Sequence, residues 1–267
     1  MKSFNGLKIG VIDSGIGGLS VLNALVKKIP NVSYIYYGDN HFAPYGNKPL
    51  EFIKSRLYYM IKILDKKGIN GLVIACNTLS THFYEEVKNH CPYFVIPTLP
   101  PIYKDKGTYL ACTLNTAKSS YVKKFYGENV ISFPCLAKTI EDNVFNLDNF
   151  SVAPYFEKLG FKIDRLVLGC THYSYISKNI NRQLNIETID GYDRIISLLC
   201  SELDKYDLKL SGKQSINFIG KSKKLNEKVF KKVFCNESGY EIKKNYKKLP
   251  KVVASYQKVC YDMRVKM

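Results

Sequence analysis

Two runs in this chain, "GLVIACNT" (71–78) and "RLVLGCTH" (165–172), share one design: an apolar stretch, a cysteine, then small polar side chains. In an open parallel sheet, ligands bind beyond the carboxyl ends of the strands. Cys76 and Cys170 each follow such an end. If the two runs belong to related halves that face each other, the thiols meet across one cleft. Asn77, Thr78, Thr171 and His172 flank them and can donate hydrogen bonds to an anionic substrate. Helix starts near Ser80 and after Tyr173 would add their N-terminal dipoles, which also draw a thiol pKa toward neutrality.

Opposed thiols suit a reaction in which a proton leaves one face of a carbon and another arrives on the opposite face. One must be thiolate and the other thiol, and the roles swap with direction. That is two-base racemisation. Nucleophilic attack by Cys170 beside His172 would need a base and an oxyanion hole, but it leaves Cys76 without a part.

The elements that must carry these residues alternate. "KIGVIDS" (8–14) is an apolar run ending at a Gly-rich turn, and "LSVLNALVKKI" (19–29) has helical periodicity. "SYIYYGD" (33–39), "GLVIA" (71–75) and "FVIP" (94–97) read as strands, separated by amphipathic helices at 50–68 and 80–90. The pattern then restarts. "TYLACT" (108–113), "ENVISFP" (128–134) and "DRLVLG" (164–169) read as strands; 117–127 and 136–159 read as helices, the latter broken near Pro154; 188–203 is a strand end plus helix. Nearly continuous apolar strands between helices predict parallel sheets covered on both faces. The expected fold is α/β, two pseudo-symmetric doubly wound parallel-sheet domains with the active site between them. Packing logic lets the final unit, "SINFIG" (215–220) and its helix, rejoin the first half. The expected domains are 1–96 plus 208–267, and 97–207.

Of the 267 residues, 46% are hydrophobic, enough for a large core. No run of about 18 apolar residues predicts a membrane span, and the N-terminus lacks a secretory h-region, so a cytoplasmic protein is expected. The eight cysteines are scattered singly with no C-x-x-C pair. That spacing disfavours disulfides and structural zinc, and a buried small hydrophobe is the default role of each. Net charge is +17, and residues 209–267 hold sixteen Lys/Arg against four Asp/Glu. A polyanion-binding, non-catalytic protein is therefore an alternative. Nucleic acid is disfavoured because Leu225, Val229, Phe230, Val233 and Phe234 give the lysines helical spacing and no nucleic-acid-binding signature is present. A dinucleotide site at "DSGIGGLS", with Asp39 further on, is the other rival. It lacks a third glycine at Ser20, and Asp13 would repel a pyrophosphate.

"IGVIDSGIGGLSVL" (9–22), "PYG" (44–46), "ACNT" (75–78) and "LGCTHY" (168–173), in this order and spacing, resemble the cofactor-independent glutamate racemases, and the similarity spans nearly the whole chain. The resemblance implies catalytic thiols Cys76, working on the D-enantiomer, and Cys170, working on the L-enantiomer. It implies that Asp13 assists Cys76, and that His172 and Glu141 assist Cys170. Asp13, Ser14, Pro44, Tyr45, Gly46, Asn77, Thr78, Thr116, Thr171 and His172 would hold the substrate. It implies glutamate as substrate, D-glutamate for peptidoglycan as product, a homodimer, and neither metal nor pyridoxal phosphate as cofactor. A racemase of the same superfamily acting on aspartate or another amino acid is the alternative; the histidine after "GCT" favours glutamate. The chain departs from the family pattern at "CTLNTAKS" (112–119), where Cys112 and Asn115 replace glycines, at Ser174 and at "IDGYDRI" (189–195). If the 112–119 loop needs a positive φ, Asn tolerates it and Cys does not.

Overall fold

The computed structural model describes residues 7–30, 32–205 and 214–235. The chain runs β1 (Lys8–Asp13), α1 (Leu19–Lys28), β2 (Ser33–Gly38), two short 3-10 turns (Asn40–Phe42 and Tyr45–Asn47), α2 (Leu50–Asp65), β3 (Gly71–Ile74), α3 (Asn77–His90) and β4 (Phe94–Pro97). It continues through β5 (Thr108–Cys112), α4 (Leu114–Lys118), α5 (Ser120–Tyr126), β6 (Val130–Ser132), α6 (Leu136–Asp142), α7 (Ala153–Phe156) and β7 (Arg165–Gly169). A 3-10 turn (Thr171–Ile176), α8 (Ser177–Leu184), β8 (Glu187–Ile189) and α9 (Tyr192–Leu203) follow. β9 (Ser215–Phe218), α10 (Lys223–Val229) and a π-helical turn (Phe230–Cys235) complete the described chain.

The strands form two sheets, ordered β4-β3-β1-β2-β9 and β6-β5-β7-β8. Every pairing is parallel, and β9 joins the first sheet beside β2. β1 lies between β2 and β3 and is buried from Ile9 to Asp13. Its side chains alternate: Ile9 and Val11 join the core under α1, while Ile12 joins the core under α2 and α3. α1 buries Leu19, Leu22 and Leu25 at helical spacing, each worth about 1.5–3 kcal/mol. α9 follows the second sheet in sequence, yet it buries Ile195, Ile196, Leu199 and Cys200 in the core of the first.

Two helices expected from periodicity are shorter than predicted. The 117–127 segment is split at Ser119, whose hydroxyl accepts the Val122 N–H at 3.2 Å and starts α5. The 136–159 segment is helical only over α6 and α7. Between them, Asn179 Nδ2 donates to the Leu147 and Phe150 carbonyls at 2.9 and 3.1 Å, and Gln183 Oε1 accepts the Val152 N–H at 3.0 Å. These side chains from α8 satisfy a backbone that would otherwise have to coil on itself.

Of the cysteines expected to be buried, Cys76, Cys112, Cys170 and Cys200 are; Cys91 and Cys235 are half-buried and Cys135 is exposed. Cys260 and most of the basic 209–267 segment lie outside the described residues. In its described part, Val229 and Phe230 are buried while Leu225 is 41% exposed. Among the described residues no helix is long and apolar enough to cross a membrane.

Candidate active site

Strand ends bring the site together. β1 finishes at Asp13, whose Oδ1 accepts the Gly15 N–H at 2.9 Å and the Ser14 hydroxyl at 3.4 Å. Its Oδ2 accepts the Thr171 hydroxyl at 3.2 Å, a bond across the two sheets' loops. Beyond β3, Cys76 is the N-cap of α3, with its thiol 3.9 Å from the Ser14 hydroxyl. Beyond β7, Cys170 is the N-cap of the 3-10 turn, so its turn is tighter than the expected α-helical start. Its Sγ lies 3.8 Å from His172 Nδ1, and His172 Nε2 lies 2.7 Å from Glu141 Oε2. Asn40 Nδ2 donates to the other Glu141 oxygen at 3.2 Å.

A second cluster closes the other side. The hydroxyls of Thr78, Thr113 and Thr116 lie 3.0–3.1 Å apart in a triangle. Tyr45 is buried, and its hydroxyl donates to Asp39, which also receives Nε and one terminal nitrogen of Arg56 at 2.8 Å each. Asp39 is therefore committed to this ion pair and cannot serve a dinucleotide ribose. Asn115 sits inside α4 and donates to the Tyr45 and Lys48 carbonyls at 2.9 and 2.8 Å. Cys112 ends β5, and the only non-glycine residue with positive φ among those described is Asn185. The 112–119 departures thus meet no left-handed position. The other two departures meet each other: Tyr192 donates to the Ser174 hydroxyl at 2.7 Å and lies 2.5 Å from the Ser20 hydroxyl on α1.

Ser14, Pro44, Tyr45, Gly46, Cys76, Asn77, Thr78, Thr113, Cys170, Thr171 and His172 line one cavity. All of these except Thr113 are substrate-binding or catalytic positions expected from the sequence. Asp13, Thr116 and Glu141 stand behind the wall and touch it through Thr171, Thr78 and His172. Asn77 lines the cavity while its amide donates to the Thr98 carbonyl at 3.0 Å. Sequence reasoning missed Thr113, Asn40 and Asn115. Only Thr113 carried a local signal, as the N-cap whose hydroxyl accepts the Thr116 N–H.

The chain is 32% identical to the glutamate racemase of Clostridium kluyveri over 262 residues, covering 90% of this chain and 96% of that one. It is 35% identical to the glutamate racemase of Clostridium perfringens strain ATCC 13124, covering 78% and 88%. The chain belongs to the glutamate racemase family. The crystal structure of the family member from Campylobacter jejuni superposes with a TM-score of 0.71 at 25% identity, covering 85% of this chain and 98% of that one. No family model matches the chain.

In this glutamate racemase family member the electrostatics of the two thiol sites differ. Burial, and next the Asp13 charge, push the Cys76 thiol up to about 12, overriding the α3 N–H groups and the Ser14 hydroxyl. This corrects the expectation that the helix N-terminus draws that thiol toward neutrality. Burial also raises the Asp13 carboxyl above its ordinary range, with His172 and the Gly15 and Gly18 N–H groups pulling it partly back. Burial alone would lower His172, but hydrogen bonds to Cys170 and Glu141 override it and hold the imidazole well above 6.5.

A histidine raised on folding contributes stability that is complete below its unfolded value, about 6.5, and is lost as pH rises through the folded value. We expect the stability lead of the wild type over His172→Gln, read by urea unfolding, to be largest at pH 6 and to shrink steadily above it. A lead that grows with pH contradicts the charged His172.

The cavity offers only about 10 Å³ to a water-sized sphere, room for about one solvent molecule. That is less room than an amino acid occupies.

Proposed function

We propose that this chain interconverts L- and D-glutamate by cofactor-independent proton transfer between Cys76 and Cys170, supplying D-glutamate for peptidoglycan. The observation that carries the reading is one buried cavity lined by both thiols, each just past the end of a parallel strand in a different sheet. Cys76 is held protonated by burial. The charged His172 imidazole lies 3.8 Å from the Cys170 sulfur and can stabilise negative charge there as that thiol exchanges its proton. That arrangement suits L-glutamate: Cys170 takes the α-proton while Cys76 delivers its own to the opposite face, and the reverse reaction starts from the opposite proton pattern. Glu141 keeps His172 charged and aimed. Asp13 accepts from Thr171 and Ser14 beside Cys76, and burial raises its carboxyl, which suits it to return a proton to the Cys76 thiolate.

Ser14, Tyr45, Gly46, Asn77, Thr78 and Thr171, with Thr113 added to the sequence-derived set, would hold the substrate's carboxylates and ammonium. We read 1–96 plus 208–267 and 97–207 as the two domains, with α9 buttressing the first sheet across that boundary. The reading includes a cytoplasmic location and a homodimer. Sedimentation velocity tests the dimer: a single species near the 30.5 kDa chain mass contradicts it.

The test of substrate is the optical rotation of L-glutamate, D-glutamate and L-aspartate solutions incubated with the purified protein and no added cofactor. Decay of both glutamate signals, with L-aspartate far slower, supports the reading. Decay of L-aspartate alone replaces it with the aspartate alternative, and decay of neither contradicts it.

A further inference from the structure

Behind Glu141 lies a second layer of amides. Asn226, on α10, is fully buried, and neither end of its amide has a hydrogen-bond partner; Asn40 Oδ1 is buried and unpartnered as well. Buried amide atoms without partners are costly and rare, so their occurrence on two neighbouring asparagines calls for a reason. They converge at Gly38, the last residue of β2: a Cβ there would lie 2.9 Å from Asn226 Nδ2 and 2.9 Å from Asn40 Oδ1. The next layer inward is packed by the same means. A Cβ on Gly15 would lie 2.6 Å from Glu141 Oε2.

The polarity along this line is fixed by its inner end. A carboxylate only accepts, so Asn40 must turn its NH₂ toward Glu141, and its carbonyl oxygen then faces outward. Asn226 Nδ2 approaches the same point at Gly38 as that oxygen, without hydrogen bonding to it. From Asn40 inward, donor meets acceptor through Glu141 to His172 beside Cys170, in surroundings where such dipoles are strong; Asn226 stands behind this line. Resting on the racemase reading above, we propose that Asn40 is a positioning residue for Cys170, holding Glu141 in line with His172, and that Asn226 orients Asn40 from behind. The C-terminal unit that returns to the first sheet thereby reaches the machinery of the second.

The test uses Asn40→Ala, the isosteric Asn40→Asp and Asn226→Leu in the full chain, with α-deuterated L- and D-glutamate as substrates. Weakening only the Cys170 side makes proton removal from L-glutamate more rate-limiting and removal from D-glutamate less so. For Asn40→Ala we expect kcat to fall roughly tenfold, the scale of one lost hydrogen bond to a charged group. The deuterium isotope effect should rise for the L-substrate and fall for the D-substrate. Asn40→Asp, which sets a carboxylate against Glu141, should lose more. Asn226→Leu should show the same split more weakly, with a melting temperature no lower than wild type, because it removes two unpartnered buried groups. It decides the matter if the Asn40 variants do not fold. Wild-type kinetics in Asn40→Ala, or a rate loss with both isotope effects unchanged, overturns the proposal. An inactive wild type overturns the racemase reading, and this proposal with it, and the wild-type control tells that case apart.

Discussion

Replacing either Cys76 or Cys170 with alanine is expected to lower glutamate racemisation by more than about a thousandfold, within the range for loss of a positioned acid or base. Each thiol handles one face of the α-carbon, so neither can cover for the other. Cys112→Ala, Cys200→Ala and Cys235→Ala are expected to leave the rate largely intact. Cys112 is the informative control. It is buried at the end of β5, yet it does not line the cavity. Its removal should cost about 1 kcal/mol of stability, as for an ordinary small core truncation, with kcat nearly unchanged. Chiral chromatography of the product with each variant, alongside thermal melts, checks the set. Full activity in either Cys76→Ala or Cys170→Ala would sink the two-thiol account.

Gly17→Ala is expected to be nearly as damaging without touching a chemical group. A Cβ at Gly17 would stand 2.3 Å from Thr171 Oγ1 and 2.6 Å from His172 Nδ1. Both neighbours are buried and belong to the other sheet's loop, so neither can give way cheaply. The added methyl must push that loop away from β1. Such a shift breaks the Thr171–Asp13 bond and moves His172 relative to Cys170. A displacement of about 1 Å in a catalytic group costs on the order of a hundredfold, and overpacking adds about 1–3 kcal/mol of destabilisation. Steady-state kinetics and urea unfolding of Gly17→Ala measure both. Wild-type kcat in that variant contradicts the close approach of the two loops at this point.

Much of this was legible in the sequence because it depends on local pattern. The apolar runs ending at Asp13, Cys76 and Cys170 marked their strands and placed the thiols past the strand ends, where a parallel sheet opens its site. The residues that sequence missed act across long separations. Asn40 meets Glu141 and Asn115 meets Tyr45 only after both sheets have formed. The 143–152 segment misled for the same reason. Val144, Leu147 and Val152 have helix-like spacing, but the Leu147 carbonyl and the Val152 N–H are satisfied by Asn179 and Gln183 from a distant helix. The environment of Cys76 was likewise invisible. A helix N-terminus is a local feature, whereas full burial beside Asp13 is a product of the assembled cleft.

The most direct measurement follows L-glutamate in deuterium oxide with the purified protein, no added cofactor, and conversion held to the first few per cent. Two thiols on opposite faces predict D-glutamate that carries deuterium at the α-carbon while the remaining L-glutamate keeps its proton. D-glutamate that retains the original α-proton, or early deuterium in both enantiomers alike, would show a single base serving both faces and would contradict the opposed acid and base roles of Cys76 and Cys170.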